Sequence, residues 1–167
     1  HLDGRFAGAY FGGDKYLAVI EENPDQPGFV HIVNMQTGEK MLVLQFFESG
    51  YPLAVCFSNN LDYFDILLTN IKGSMIQPII KRYDLNGNQI AQKLPDDYPF
   101  LYGKIDHDSN DNIVITSTSN TLVLNLEQEK PIADYAPGKI YEIAAGTKIT
   151  AFASTHIEGS LQIIEWD

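Results

Sequence analysis

Residues 106–112 read Asp-His-Asp-Ser-Asn-Asp-Asn, the most suggestive run of chemistry-bearing side chains in the sequence. Oxygen ligands at alternate positions (Asp106, Asp108, Asn110) echo the D-x-D-x-[DN] opening of a calcium loop, where carboxylates and amides converge on one hard cation. The echo breaks at two places. Asp111 stands where such a loop needs glycine for its sharp turn, and Ser117 occupies the twelfth position, where a bidentate glutamate belongs. A hairpin turn made of residues that hydrogen-bond their own backbone explains the same composition, and it aligns with LDYFD (61–65) further upstream. The expectation is therefore no metal, with Asp106, Asp108 and Asn110 as the weak candidates.

The other reactive residue types are dispersed. His31, His107 and His156 are far apart, and no Cys-x-x-Cys is present to supply a metal-type spacing. Cys56 has no flanking histidine or basic residue to lower its pKa, so it reads as a small buried hydrophobe. Gly12-Gly13 and Gly87 sit in turns without a phosphate-loop pattern. No catalytic residue is nominated and no cofactor is expected. A different motif recurs: Glu48-Ser-Gly-Tyr51-Pro52, Asp96-Asp97-Tyr98-Pro99 and Asp134-Tyr135-Ala-Pro137 each join an acid, a tyrosine and a proline.

The elements that carry these residues are short β-rich runs. YLAVIE (16–21), FVHIVNM (29–35), FDILLTN (64–70), IIKRYDL (79–85), NIVITS (112–117), TLVLNL (121–126), KITAFAS (148–154) and LQIIEW (161–166) are rich in Val, Ile, Thr, Phe and Tyr. NPDQPG, TGE, NGN, HDSNDN, APG and IEGS separate them with turn-forming residues. No window sustains a helical period with caps, so the expected class is all-β.

The runs repeat. Val33, Tyr83, Leu124 and Trp166 occupy equivalent strand ends in VNMQTGE, YDLNGN, LNLEQEK and EWD, spaced by 50, 41 and 42 residues. A gapless overlay of 51–70 on 98–117 and 135–154, with 2–21 fitting the same frame, gives the same four units. Each unit divides into strands A to D, at about 5–11, 16–21, 29–35 and 39–46 in the first, and about 52–58, 64–70, 76–84 and 88–94 in the second. The third is expected at about 100–105, 112–117, 121–126 and 131–135. The fourth has A, B and C at about 139–144, 148–154 and 161–166, and no D.

These features resemble the WD-repeat β-propellers: YDLNGNQ and VNMQTGE look like the family's turn from strand C to strand D, and EWD carries its Trp-Asp pair. Two departures stand out. No unit has the Gly-His pair that usually precedes strand A, and one unit alone has Trp-Asp. DSNDNIVITSTSNTLVLNL also resembles NHL-type propeller repeats.

The resemblance implies one partial propeller domain with blades at about 1–48, 49–96, 97–136 and 137–167, part of a larger, seven-bladed ring. Only His1 to Gly4 precede the first A strand, too few for a strand of ordinary length. The fourth blade is thus expected to be completed by further blades of a longer protein or by a second copy; a self-contained small propeller with a misregistered first unit is the third reading.

The resemblance also implies a function. Loops D–A and B–C of such folds open on one face, the family's usual docking surface. Tyr51, Tyr98 and Tyr135, with Glu48, Asp96, Asp97, Asp134 and His156, would form a partner-binding face there, the acids favouring a basic protein or peptide. The competing reading makes the tyrosines wedges between blades. The main functional expectation is a non-catalytic scaffold. The alternatives are a ligand-binding or enzymatic propeller with its site at the channel mouth, near Arg5, Lys104, Lys139 and Glu142, and an architectural half-ring that closes by dimerising.

Composition sets outer bounds. A chain of 167 residues can bury roughly 70% of its unfolded surface. Its formal net charge of −11 repels phosphate backbones and anionic lipid, so neither nucleic acid nor membrane is an expected partner. A single cysteine and the lack of an N-glycosylation sequon point to a reducing intracellular compartment, the cytoplasm.

Overall fold

Alternation of apolar and polar residues in short runs demands sheets with two different faces. The computed structural model describes residues 4–23, 26–46, 50–72, 75–93, 103–116, 121–128, 132–135, 139–145, 148–154 and 161–166. Fifteen strands and no helix lie among them, hence none long and apolar enough to cross a membrane. The strands form four antiparallel meanders. The chain divides into two compact units, His1–Pro99 and Phe100–Asp167, each holding two sheets.

In the first unit, β1 (Arg5–Gly12), β2 (Tyr16–Asn23), β3 (Gln26–Asn34) and β4 (Lys40–Phe46) pair in that order. β5 (Pro52–Phe57), β6 (Tyr63–Lys72), β7 (Met75–Asp84) and β8 (Gln89–Lys93) do the same. Period-2 alternation decides which side chains meet between these sheets. Tyr16, Ala18 and Ile20 of β2 and Val30 and Ile32 of β3 are buried, and they join Phe64, Ile66 and Leu68 of β6 in one core. Full burial of side chains of this size contributes roughly 1.5–3 kcal/mol each. Five aromatic rings run through the core in series: Tyr16 on Phe57 at 5.9 Å, Phe57 on Phe64 at 5.8 Å, Phe64 on Tyr83 at 5.9 Å, and Tyr83 edge-on to Phe46 at 6.2 Å. Burial raises the Tyr83 phenol above its ordinary value.

Two further contacts lock these sheets together. The Tyr10 hydroxyl donates to the Leu53 carbonyl across β1 and β5 at 2.8 Å. Gly28 and Pro52 are so close that a Cβ on Gly28 would lie 2.5 Å from Pro52 Cδ. A residue with any side chain is excluded there by contact, not by backbone angle.

In the second unit, β9 (Lys104–His107), β10 (Ile113–Thr116), β11 (Thr121–Leu124) and β12 (Ala133–Tyr135) form a four-stranded sheet. β13 (Lys139–Ala145), β14 (Ile149–Ser154) and β15 (Leu161–Trp166) form a sheet of three. Val114, Val123 and Ile149 bury one another between them, with Ala145 against the cluster. The Asp106 carboxylate also accepts a hydrogen bond from the Ala145 amide at 2.9 Å, tying β9 to β13. The last sheet ends at β15, with no fourth strand among the described residues, as the repeat pattern anticipated.

The third A strand departs from its expected position. Among the described residues it runs Lys104–His107, sharing Lys104 and Ile105 with the expected 100–105 and extending two residues further. The turn that follows is shorter by one residue than its counterpart in the preceding sheet: Ser58 N–H donates to the Tyr63 carbonyl, whereas Asp108 N–H donates to the Asn112 carbonyl. The run LDYFD therefore does not match the 106–112 loop, since Tyr63, Phe64 and Asp65 are already in strand β6.

Candidate functional site

The loop between β4 and β5 carries the first acid-tyrosine-proline motif. Its proline and its tyrosine part company. Pro52 opens β5, is buried, and packs on Gly28. Tyr51, one residue earlier, keeps 43% of its surface exposed. Its backbone is fixed to the end of β6: the Tyr51 amide donates to Thr69 Oγ1 at 3.1 Å, and the Thr69 amide donates to the Tyr51 carbonyl at 2.9 Å. At this blade Pro52 packs between the sheets, while Tyr51 is partly exposed on a pinned backbone.

Of the other candidates, Asp134 and Tyr135 belong to strand β12, registered opposite Leu122 and Thr121. Glu48, Asp96, Asp97, Tyr98 and His156 lie outside the described residues. Arg5 and Lys104 lie on the A strands β1 and β9, and Lys139 and Glu142 both lie on β13.

The calcium-like run resolves into hydrogen-bonded turn chemistry. Asp108 Oδ1 accepts from the amides of Asn110 (2.8 Å) and Asn112 (2.9 Å), and its Oδ2 accepts from the Asn112 side-chain amide at 2.9 Å. Asp84 does the same with Asn86 (2.9 Å), Asn88 (2.8 Å) and the Asn88 side chain (2.9 Å). The D-x-N-x-N spacing thus closes a five-residue turn twice, once between β9 and β10 and once between β7 and β8. Asp106 is engaged separately, accepting from the His107 and Ala145 amides. The carboxylate oxygens of Asp106 and Asp108 accept from backbone and side-chain amides of the turn and its neighbours, as the turn reading requires. At Asp84 the Asn88 side-chain bond, then the backbone bonds, hold the carboxyl below its ordinary value.

One ion pair and one buried carboxylate–imidazole contact escaped the sequence reading. Asp65 is fully buried and accepts two hydrogen bonds from Arg82, Nε to Oδ1 at 2.9 Å and Nη2 to Oδ2 at 2.8 Å. The Arg82 guanidinium lies 3.9 Å from the Tyr63 ring centroid. Burial opposes its charge, but the hydrogen bonds and charge of Asp65 prevail and hold its pKa above the ordinary value. In the first sheet, buried Glu21 and His31 meet at 2.7 Å through Oε2 and Nε2, and Glu21 Oε1 takes the Gly4 amide. A charged residue inside an apolar run, as in YLAVIE and FDILLTN, was the available signal. Burying such a charge is costly without a partner, so each one predicts a mate on a neighbouring strand. Cys56 is buried in β5, as its sequence context suggested.

The outer face of the first sheet carries exposed apolar side chains on its two edge strands, flanking the buried Glu21–His31 pair, since Glu21 is registered with Phe6 and His31 with Val43. Phe6 and Phe11 of β1 are 58% and 70% exposed, and Met41 and Val43 of β4 are 42% and 45% exposed.

No protein-family model and no curated protein matches the chain. Its likeness is to solved structures. The WD40 repeats of RRP9 superpose with a TM-score of 0.65 at 10% identity, covering 98% of this chain and 52% of that one. The Dos1 propeller gives 0.63 at 11% identity, covering 97% and 42%. The β-propeller domain of the Trilobed protease from Pyrococcus furiosus gives 0.58 at 10% identity, covering 97% and 54%. The chain has a β-propeller fold. At these identities the likeness is one of fold, and the propeller chain spans about half the length of the structures it matches.

Proposed function

We propose that this propeller is a scaffold that docks a protein or peptide on the face formed by its D–A and B–C loops. The observation that supports it is the division of labour at Tyr51-Pro52. Packing is discharged by Pro52, while Tyr51 stays exposed on a backbone held by Thr69. A tyrosine in that state offers a flat amphipathic contact with little rotamer entropy to lose on binding. The net charge of −11 favours a partner bearing Lys or Arg. An array of Lys/Arg-bearing peptides, probed with the wild-type chain and with Tyr51→Ser, tests the reading. Retention by the wild type and loss in the variant, at unchanged melting temperature, is expected. Equal retention by both, or none by the wild type, would overturn it.

The open face of the first sheet supports a second element of the proposal. The facing sides of the two sheets of the first unit cover each other, whereas Phe6, Phe11, Met41 and Val43 lie uncovered. With the half-length match to solved propellers, this favours a working form in which a further blade packs on that face, supplied by a longer chain.

A further inference from the structure

The turns at Asp84–Asn88 and Asp108–Asn112 have the same hydrogen-bonding pattern but differ at their fourth residue. In both, the aspartate side chain accepts from the third and fifth amides, and the fourth amide donates to the aspartate carbonyl at 3.0 Å. In both, the fourth residue is left-handed, Gly87 at φ 87° and Asp111 at φ 58°. In both, the third residue is an exposed asparagine, Asn86 and Asn110. What differs is the residue whose backbone nitrogen follows that asparagine.

From this pairing we infer that Asn86 is a site of spontaneous covalent modification and that Asn110, in the matching turn, is resistant. The backbone nitrogen of Gly87 attacks Cγ of Asn86. A bond forms between that nitrogen and Cγ, the Cγ–Nδ2 bond breaks, and ammonia leaves with the proton from the Gly87 amide. The resulting cyclic imide is opened by water at either carbonyl, giving aspartate or isoaspartate at position 86. No electrons are exchanged, and water is the sole co-reactant. Gly87 has no Cβ to stand between its nitrogen and the asparagine carbonyl carbon. Asp111 places both a Cβ and a carboxylate there, and the carboxylate's negative charge disfavours the deprotonated nitrogen that must attack. The hydrogen bond from the fourth amide restrains both turns alike, so it cancels from the comparison.

The two products have different consequences. Aspartate at 86 preserves the main chain and adds an exposed charge. Isoaspartate inserts a methylene into the main chain between positions 86 and 87, within the span that Asp84 bridges to reach both Asn86 and Asn88. That product releases the cap between β7 and β8 and frees the short edge strand Gln89–Lys93.

The full chain, aged at mildly alkaline pH and then digested, would be followed by peptide mass spectrometry, with fragmentation that separates aspartate from isoaspartate. Asn86 is expected to convert several-fold faster than Asn110. Asp111→Gly, which fits the left-handed backbone, is expected to raise Asn110 to the rate of Asn86. Equal wild-type rates, slower conversion at Asn86, or an Asn110 unmoved by Asp111→Gly would each overturn the inference. If Asp111→Gly fails to fold, the comparison of the two sites in the wild type decides alone.

Discussion

Asp65 and Arg82 stand directly opposite each other on β6 and β7 and share two hydrogen bonds of 2.9 and 2.8 Å, with the carboxylate wholly removed from solvent. Parallel bonds between a guanidinium and a carboxylate fix both distance and plane, so the pair sets the register of the two central strands as well as their charge balance. Removing the carboxylate leaves the largely buried Arg82 guanidinium without its hydrogen-bonded counter-charge. Asp65→Ala is expected to lower stability by about 3–5 kcal/mol, read as a shift in urea unfolding midpoint at constant slope. The double replacement Asp65→Leu with Arg82→Met should recover most of that loss, because two apolar side chains of similar size need no partner.

Gly28 gives a steric prediction. Its missing Cβ leaves room for Pro52, whose ring cannot swing away. Gly28→Ala should cost about 1–3 kcal/mol, the usual penalty for overpacking a closed contact. Thermal unfolding of the variant checks it, and an unchanged midpoint would place the Pro52 ring elsewhere.

Tyr51 and Pro52 should separate in a stability assay. Tyr51→Ser should stay within about 0.5 kcal/mol of wild type, as an exposed side chain does. Pro52→Ser removes the buried ring and should destabilise measurably. Loss of stability in Tyr51→Ser comparable to that in Pro52→Ser would restore the tyrosine as a packing residue.

Asp84 gives a pH prediction with a definite sign. Its carboxyl is depressed below 3.8 by the Asn88 side chain first and then by backbone amides. The cap is therefore fully formed above pH 3.8 and is lost as pH falls through the lower value in the folded chain. A carboxyl titration followed by NMR should place the Asp84 midpoint below 3.8, and Asn88→Ala should move it upward. A wild-type midpoint at or above 3.8 would contradict the capped turn.

Much of this fold was legible because local chemistry wrote it. Runs such as TLVLNL and LQIIEW, bounded by turn residues, gave strands β11 and β15 close to their observed limits. The third A strand was ended two residues early, and turn length, which is decided by which residue caps the turn, contributes one of them. Ser58 closes a longer loop than Asp108, and a gapless overlay cannot register one residue more. The buried charges left a signal in their apolar runs, but the identity of each partner was not legible. Asp65 and Arg82 are 17 residues apart, and only the register of β6 on β7 brings them together. Tyr51 and Pro52 were read as one motif, yet alternation along β5 buries the proline and the preceding loop exposes the tyrosine.

The central claim is that the open face of the first sheet is made to be covered by another blade. Sedimentation of the wild-type chain against Phe11→Ser/Val43→Ser, with a dye that reports exposed apolar surface, tests it most directly. The wild type should bind the dye and self-associate as concentration rises, and the double variant should lose both behaviours while keeping its β-sheet circular dichroism. A wild-type chain that sediments as a single monomer and leaves the dye dark would contradict the claim.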